Sequence, residues 1–176
     1  MQKGLITRYI IFQILKSLKN EKINYDSIFL KKIKNRKLIS SDINLIQNVV
    51  LTSMRYHLEI DQIIKIYTNK INKNSNNYFL ILSGIAQIVF LNFKDYAVIH
   101  SSVEIAKNNK FLKIYPAFIN GLLRNVARNK KKLSKIKASF SMLPQWFKDQ
   151  TKNWSEEIKF NFIKTIKKEP NIHLVF

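Results

Sequence analysis

"YFLILSGIAQIVFLNF", residues 78–93, is apolar on almost every side. A helix that is hydrophobic all round belongs at the centre of a helical protein, with other helices covering each face. Gly84 sits in its middle, where glycine costs about 1 kcal/mol relative to alanine. That cost predicts the close approach of another helix at Gly84. Before this stretch, "NKINKNSNN" (69–77) is polar and asparagine-rich and reads as a loop.

Working outward, apolar residues recur at helical spacing on both sides, and alternating strand-like runs are largely missing. A first helix is expected from about Leu5 to Lys19. Leu5, Tyr9, Phe12 and Leu15 would face inward, and Arg8, Lys16 and Lys19 outward. A shorter helix follows over Tyr25–Lys34, with Ile28, Phe29 and Ile33 inward. Ser41 is a candidate N-cap, its oxygen able to accept from a free first-turn amide. The next stretch carries two stripes, Ile43, Ile46, Val50, Met54 and then Ile60, Ile63, Ile64, Tyr67. The change of face predicts a break near Tyr56–Leu58. After the central helix, residues 94–110 present Val98, Val103 and Ala106 inward. Residues 115–132 open with Pro116, tolerated where its missing amide costs little. Their apolar face is Phe118, Ile119, Leu122, Leu123 and Val126. Arg124, Arg128 and Lys131 follow at four- and three-residue steps and are expected to share another face. The fold class is all-α, a bundle of about seven helices plus a small C-terminal helical extension.

The charge is strongly basic. Lysine and arginine total 31 against 11 acidic residues, a net charge of +20. Such a field attracts polyanions and makes their binding salt-dependent. Lysine, asparagine and isoleucine are abundant together, as AT-rich coding produces, so the position of the charge says more than its amount. No acidic residue occurs between Glu104 and Asp149, an interval that includes "RNKKKLSKIK" at 128–137. A polyanion-binding surface is expected there.

Cysteine is absent, which rules out disulfides and thiolate metal sites and fits a reducing compartment. No apolar run is long enough to span a membrane. The N-terminal stretch reads as a helix, not as a signal peptide, so a cytoplasmic location is expected. His57, His100 and His173 are far apart in sequence with no metal-ligand spacing, so no metal or other cofactor is expected. Asp61 and Glu104 are candidates for structural pairing with Arg55 or a neighbouring lysine.

Both tryptophans lie in "SMLPQWFKDQTKNWSEE" (141–157). Pro144 can start a short helix carrying Trp146 and Phe147. Ser155, Glu156 and Glu157 look like the cap and acidic first turn of another, with Ile158, Phe162, Ile163 and Ile166 inward. Pro170 closes it, and "NIHLVF" is a short apolar end. The two tryptophans share a face only if one helix spans both, and a hydrophobic seam is expected in preference to a base-stacking platform.

Five stretches in order resemble the NusB-type RNA-binding domain. "TRYIIFQIL" is similar to its first helix, with Arg8 at a characteristic basic position. "DINLIQNVVLTSMRYHLEIDQII" is similar to its second motif, with Arg55 and Asp61 in place and Thr52 where glycine often stands. "LILSGIAQI" resembles its central helix through Gly84 and Gln87. "SSVEIAKNN" and "INGLLRNVAR" resemble its last two segments through Val103, Glu104, Ala106, Lys107, Asn120, Gly121, Leu123 and Arg124. Beyond them, "LPQWFKDQTKNW", "SEEIKFNFIKTIKKEP" and "NIHLVF" are similar to the segments that follow this domain in the RsmB (Sun/Fmu) methyltransferases of 16S rRNA cytosine C5. Val175 stands where those enzymes carry arginine.

The resemblance implies a NusB-like RNA-binding domain at 1–137 and, at 138–176, a helical linker subdomain resembling the start of the methyltransferase region. Methyltransferases of this type need a cysteine nucleophile and a glycine-rich loop for S-adenosylmethionine. The chain has no cysteine, and its three glycines are isolated, so no catalytic or cofactor-binding residue carries over. The chain is expected to stop where a catalytic domain would begin. The implied function is a noncatalytic rRNA-binding module using Lys3, Arg8, Arg124, Arg128, Lys130, Lys131 and Lys132 to neutralise phosphates. One alternative is an antitermination factor that binds RNA with a ribosomal protein. Another is a scaffold that docks a separate methyltransferase domain.

Overall fold

The computed structural model describes residues 3–21 and 23–168, without the Lys3 side chain. The expected roles of Lys3, Pro170, His173 and the 171–176 end lie outside the described residues. By internal contacts the chain divides into two units, 1–136 and 137–176.

In the first unit, α1 (Lys3–Asn20), α2 (Tyr25–Ile33), α3 (Ser40–Arg55), α4 (His57–Tyr67), α5 (Asn76–Ile85), α6 (Asp95–Lys107) and α7 (Pro116–Arg128) are followed by the single turn α8 (Lys130–Leu133). The all-α expectation holds. α5 is central, touching α1, α3, α4, α6 and α7. Every residue from Asn77 to Ile88 is buried, because its neighbours leave no face open to water. Each fully buried Ile or Leu there contributes about 1.5–3 kcal/mol over its exposed state. Ser75 caps the helix, its side chain accepting from the Tyr78 amide at 3.3 Å. Gly84 lies against α7, where an added Cβ would come within 2.9 and 3.0 Å of the Leu123 methyl carbons.

Past Ile85 the helix widens into a π-helical turn, Ala86–Phe90, in which the Leu91 amide donates to the Ala86 carbonyl at 3.0 Å. The insertion shifts the following side chains, and such turns recur at functional sites. Phe90 stacks on Tyr56 with centroids 4.2 Å apart. Tyr56 is the predicted break, leaving the helical region between α3 and α4 at φ −101°, ψ 21°.

Several details differ from the sequence reading. Ser41 is inside the first turn of α3 and does not cap it. The Asp42 carboxylate instead accepts from the Ile39 amide at 3.3 Å. Met54 is 48% exposed, and the buried face of α3 runs through Val49 and Ser53. Val103 is only partly buried, and Ile105 takes the interior place on α6. Phe118 is 40% exposed. Lys131 does not extend the α7 face, because the helix breaks at Asn129 and restarts as α8.

A buried polar node joins α4, α5 and the loop between them. Asp61 accepts from Tyr78 Oη at 2.5 Å and pairs with Lys73. Tyr78 Oη also lies 3.1 Å from His57 Nε2. Burial, followed by the hydrogen bond to Asp61 and its charge, pushes the Tyr78 hydroxyl well above its usual pKa.

In the second unit, a 3-10 turn (Phe140–Met142) precedes α9 (Gln145–Gln150) and α10 (Glu156–Lys167). Ser155 caps α10, accepting from the Ile158 amide at 3.3 Å. Phe162 stacks on Phe147 at 5.1 Å and meets Trp154 at 5.5 Å. Phe140 closes the seam 6.2 Å from Trp154. Trp146 stands outside this seam, edge-on to Phe147 and 67% exposed. Ile158 and Ile166 are exposed, contrary to the inward stripe expected, because α10 packs through Phe162.

Candidate nucleic-acid interface

α6 and α7 pack side by side and leave a groove of about 910 Å³ between them. Its floor is apolar, through Ile99, Val103 and Ala127, and Tyr96 lines it while 72% exposed. Arg124 and Arg128 line the same groove, one helical turn apart. The periodicity that buries Leu122, Leu123 and Val126 turns both arginines outward. Arg124 Nε donates to Asn120 Oδ1 at 3.1 Å, which steadies the guanidinium without neutralising it. Neither arginine pairs with a carboxylate among the described residues. The acidic residue in the groove, Glu104, is held by Lys107 at 2.8 Å. That contact keeps its carboxyl below the ordinary pKa.

The remaining cations separate into two kinds. Lys131 and Lys132 are exposed on α8 and pair with no carboxylate among the described residues. Lys130 is tied down, its ammonium reaching Asn92 Oδ1 at 3.2 Å and Asp95 Oδ1 at 3.3 Å. Asn92 can offer that oxygen because it turns the chain at φ 52° after the π-helical segment. Arg8 does not line the α6–α7 groove. It was expected to face outward, yet it is half-buried, with Nε donating to Gln87 Oε1 at 2.9 Å.

The loop from α6 to α7 was not singled out in the sequence. Phe111 and Ile114 are 62% and 75% exposed there, and Lys110 sits 4.9 Å over the Phe111 ring. Interleaved aromatics and lysines in "KFLKIYPAF" (110–118), within the acid-free interval, were the available signal. Among the described residues no three His, Asp or Glu side chains gather to hold a metal. No described helix is long and apolar enough to cross a membrane.

Fold and face together define a class: an all-helical bundle on which Arg124, Arg128, Lys131 and Lys132 are exposed and pair with no carboxylate among the described residues. The model of the NusB family matches residues 5–128. The chain belongs to the NusB family, whose domain is a noncatalytic RNA-binding fold. No curated protein matches the chain. Residues 129–176, which include α8 and the second unit, lie outside the family match.

Proposed function

We propose that this chain is a noncatalytic rRNA-binding module, akin to the N-terminal domain of a 16S rRNA cytosine-C5 methyltransferase and working in the cytoplasm. The observation that carries the reading is the set of Arg124, Arg128, Lys131 and Lys132, exposed and without carboxylate partners among the described residues. Each can neutralise a phosphate without first giving up an internal ion pair, so counterion release drives association. The groove and its exposed Tyr96 add an apolar surface on which an unstacked base can rest. Residues 1–137 form the RNA-binding part in this reading, and 138–176 a helical linker subdomain. Without cysteine the chain supplies no nucleophile for cytosine methylation, and any such chemistry belongs to a separate partner domain.

Fluorescence anisotropy with structured 16S rRNA fragments tests the reading. Affinity should fall steeply between 50 and 200 mM salt, and Arg124→Ala with Arg128→Ala should weaken it by roughly tenfold or more at low salt. Binding indifferent to both salt and substitution would refute it.

A second reading is an antitermination factor that binds RNA together with a ribosomal protein. It is favoured by a family match that ends at residue 128. A chain ending at residue 136 should then keep full RNA and partner binding, whereas the first reading expects the second unit to matter for docking a methyltransferase domain.

A further inference from the structure

The loop from α6 to α7 is built so that its apolar side chains stay out of the core. The Phe111 amide donates to Asn109 Oδ1 at 3.0 Å, and the Leu112 and Lys113 amides donate to the Asn109 carbonyl at 2.9 and 3.0 Å. The Tyr115 amide closes the next turn on the Leu112 carbonyl at 2.8 Å. Leu112 is fully buried and anchors these turns. With the backbone fixed and Leu112 committed to the core, Phe111 and Ile114 are left in water. Ile114 is 75% exposed, the most of any large apolar side chain among the described residues. Tyr115 and Phe118, both exposed, follow at the start of α7.

The surroundings are cationic. Lys110 lies 4.9 Å and Lys16 5.9 Å from the centre of the Phe111 ring. Lys110 and Lys113 are exposed and pair with no carboxylate among the described residues. An occupant of this loop is therefore anionic and offers apolar groups a place out of water. A second copy of the chain fails the first condition, because it brings the same lysines together. RNA supplies phosphates and flat bases, on which Phe111 and Tyr115 can stack, but Ile114 has no π-face and gains little there. An anionic lipid surface meets both conditions, with headgroups for the lysines and hydrocarbon just beneath for the apolar side chains. Lysine suits that border, since its methylene stem lies along apolar surface while the ammonium stays in water.

We propose that the α6–α7 loop docks on an anionic phospholipid bilayer, with Phe111 and Ile114 entering the interface and Lys110 and Lys113 at the headgroups. The attachment is peripheral and reversible and needs no spanning helix. It stands independently of the RNA-binding reading.

The test is co-sedimentation of the full chain with vesicles of phosphatidylcholine alone and of phosphatidylcholine mixed with phosphatidylglycerol. Binding to the mixed vesicles should be stronger by roughly tenfold or more and should weaken as salt is added. Phe111→Ser plus Ile114→Ser should weaken it roughly tenfold with the melting temperature unchanged, since both side chains are already in water in the free protein. The chain has no cysteine, so Ile114→Cys can carry a single nitrobenzoxadiazole label. Its emission should shift to the blue on mixed vesicles, and the same label on Lys65→Cys, exposed on α4, should not shift. No binding to mixed vesicles would overturn the proposal and leave a protein pocket as what the loop fits. Parental vesicle binding in the double serine variant, or equal shifts at both labels, would overturn it in favour of adsorption by charge alone. Serine substitutions that cost rRNA affinity but not vesicle binding would assign the patch to RNA instead. A chain that binds vesicles through this loop and binds no RNA would refute the RNA reading and leave this one standing.

Discussion

At Gly84 a single hydrogen atom sets how closely two helices meet. Alanine there gains about 1 kcal/mol of helix propensity. Its Cβ would stand 2.9 Å from a Leu123 methyl that is fully buried and has nowhere to go. Overpacking of that kind costs about 1–3 kcal/mol. Gly84→Ala should therefore lower stability by roughly 1–2 kcal/mol in urea denaturation. In a Leu123→Ala background, where the space is open, the same change should become neutral or stabilising. Additive effects would show that the two residues do not meet. Tyr78 makes a different test, through pH. Its raised pKa favours the neutral hydroxyl in the folded state. The unfolded tyrosine ionises near pH 10, so this stabilisation is complete below about pH 10 and is lost as pH rises above it. Tyr78→Phe should be less stable at pH 7 by about 1–3 kcal/mol, since buried Asp61 loses a donor. It should also lose less stability between pH 9 and 11 than the parent, as thermal melts across that range would reveal.

Helices are what the sequence displays best, because periodicity survives without knowledge of neighbours. The central helix, the break at Tyr56 and the close approach at Gly84 were all legible. Buried faces were less so, and serine shows why. Ser53 donates to the Val49 carbonyl at 2.7 Å, and Ser102 to the Val98 carbonyl at 2.9 Å, one turn back in each helix. With its hydroxyl satisfied locally a serine becomes fit for the interior, so the inward arc shifts away from Met54 on α3 and Val103 on α6. On α1, contact with α2, α3, α5 and α6 widens the arc, and Ile10, Ile11 and Ile14 are buried more completely than Leu5 and Tyr9. The candidate site divides in the same way. Arg124 and Arg128 could be paired from their spacing alone. The depth of Arg8 could not, since it depends on a glutamine 79 positions away, and neither could the Asp95 clasp on Lys130. The two tryptophans also separate by element. Trp154 lies in the aromatic seam, whereas Trp146 sits on α9 at 67% exposure. Trp154→Phe should leave red-shifted emission readily quenched by acrylamide, and Trp146→Phe blue-shifted emission that resists quenching. Equal quenching in both variants would show that the seam does not form.

Across the whole molecule, charge is the dominant asymmetry. Thirty-one basic residues face 11 acidic ones, so most cations have no carboxylate available to them. Some acids are already committed internally, Asp61 to Lys73, Asp95 to Lys130 and Glu104 to Lys107. An excess of like charge repels itself in the folded state more than in the expanded one, which opposes folding. Added salt screens that repulsion, with a Debye length falling from about 30 Å at 0.01 M to about 8 Å at 0.15 M. Stability should therefore rise with salt while RNA affinity falls. A gain of about 1 kcal/mol would raise the melting temperature by roughly 2–4 °C for a chain of this size. Saturating RNA at low salt should produce a similar rise, because the polyanion binds the folded state and supplies the missing counter-charge. Melts at 10 and 200 mM potassium chloride, with and without an rRNA fragment, separate these effects. The RNA-induced rise should shrink as salt is added and should be smaller in Arg124→Ala plus Arg128→Ala. A melting temperature that falls with salt would mean that the surface charges are mostly engaged in favourable pairs, which is incompatible with a face held open for phosphate.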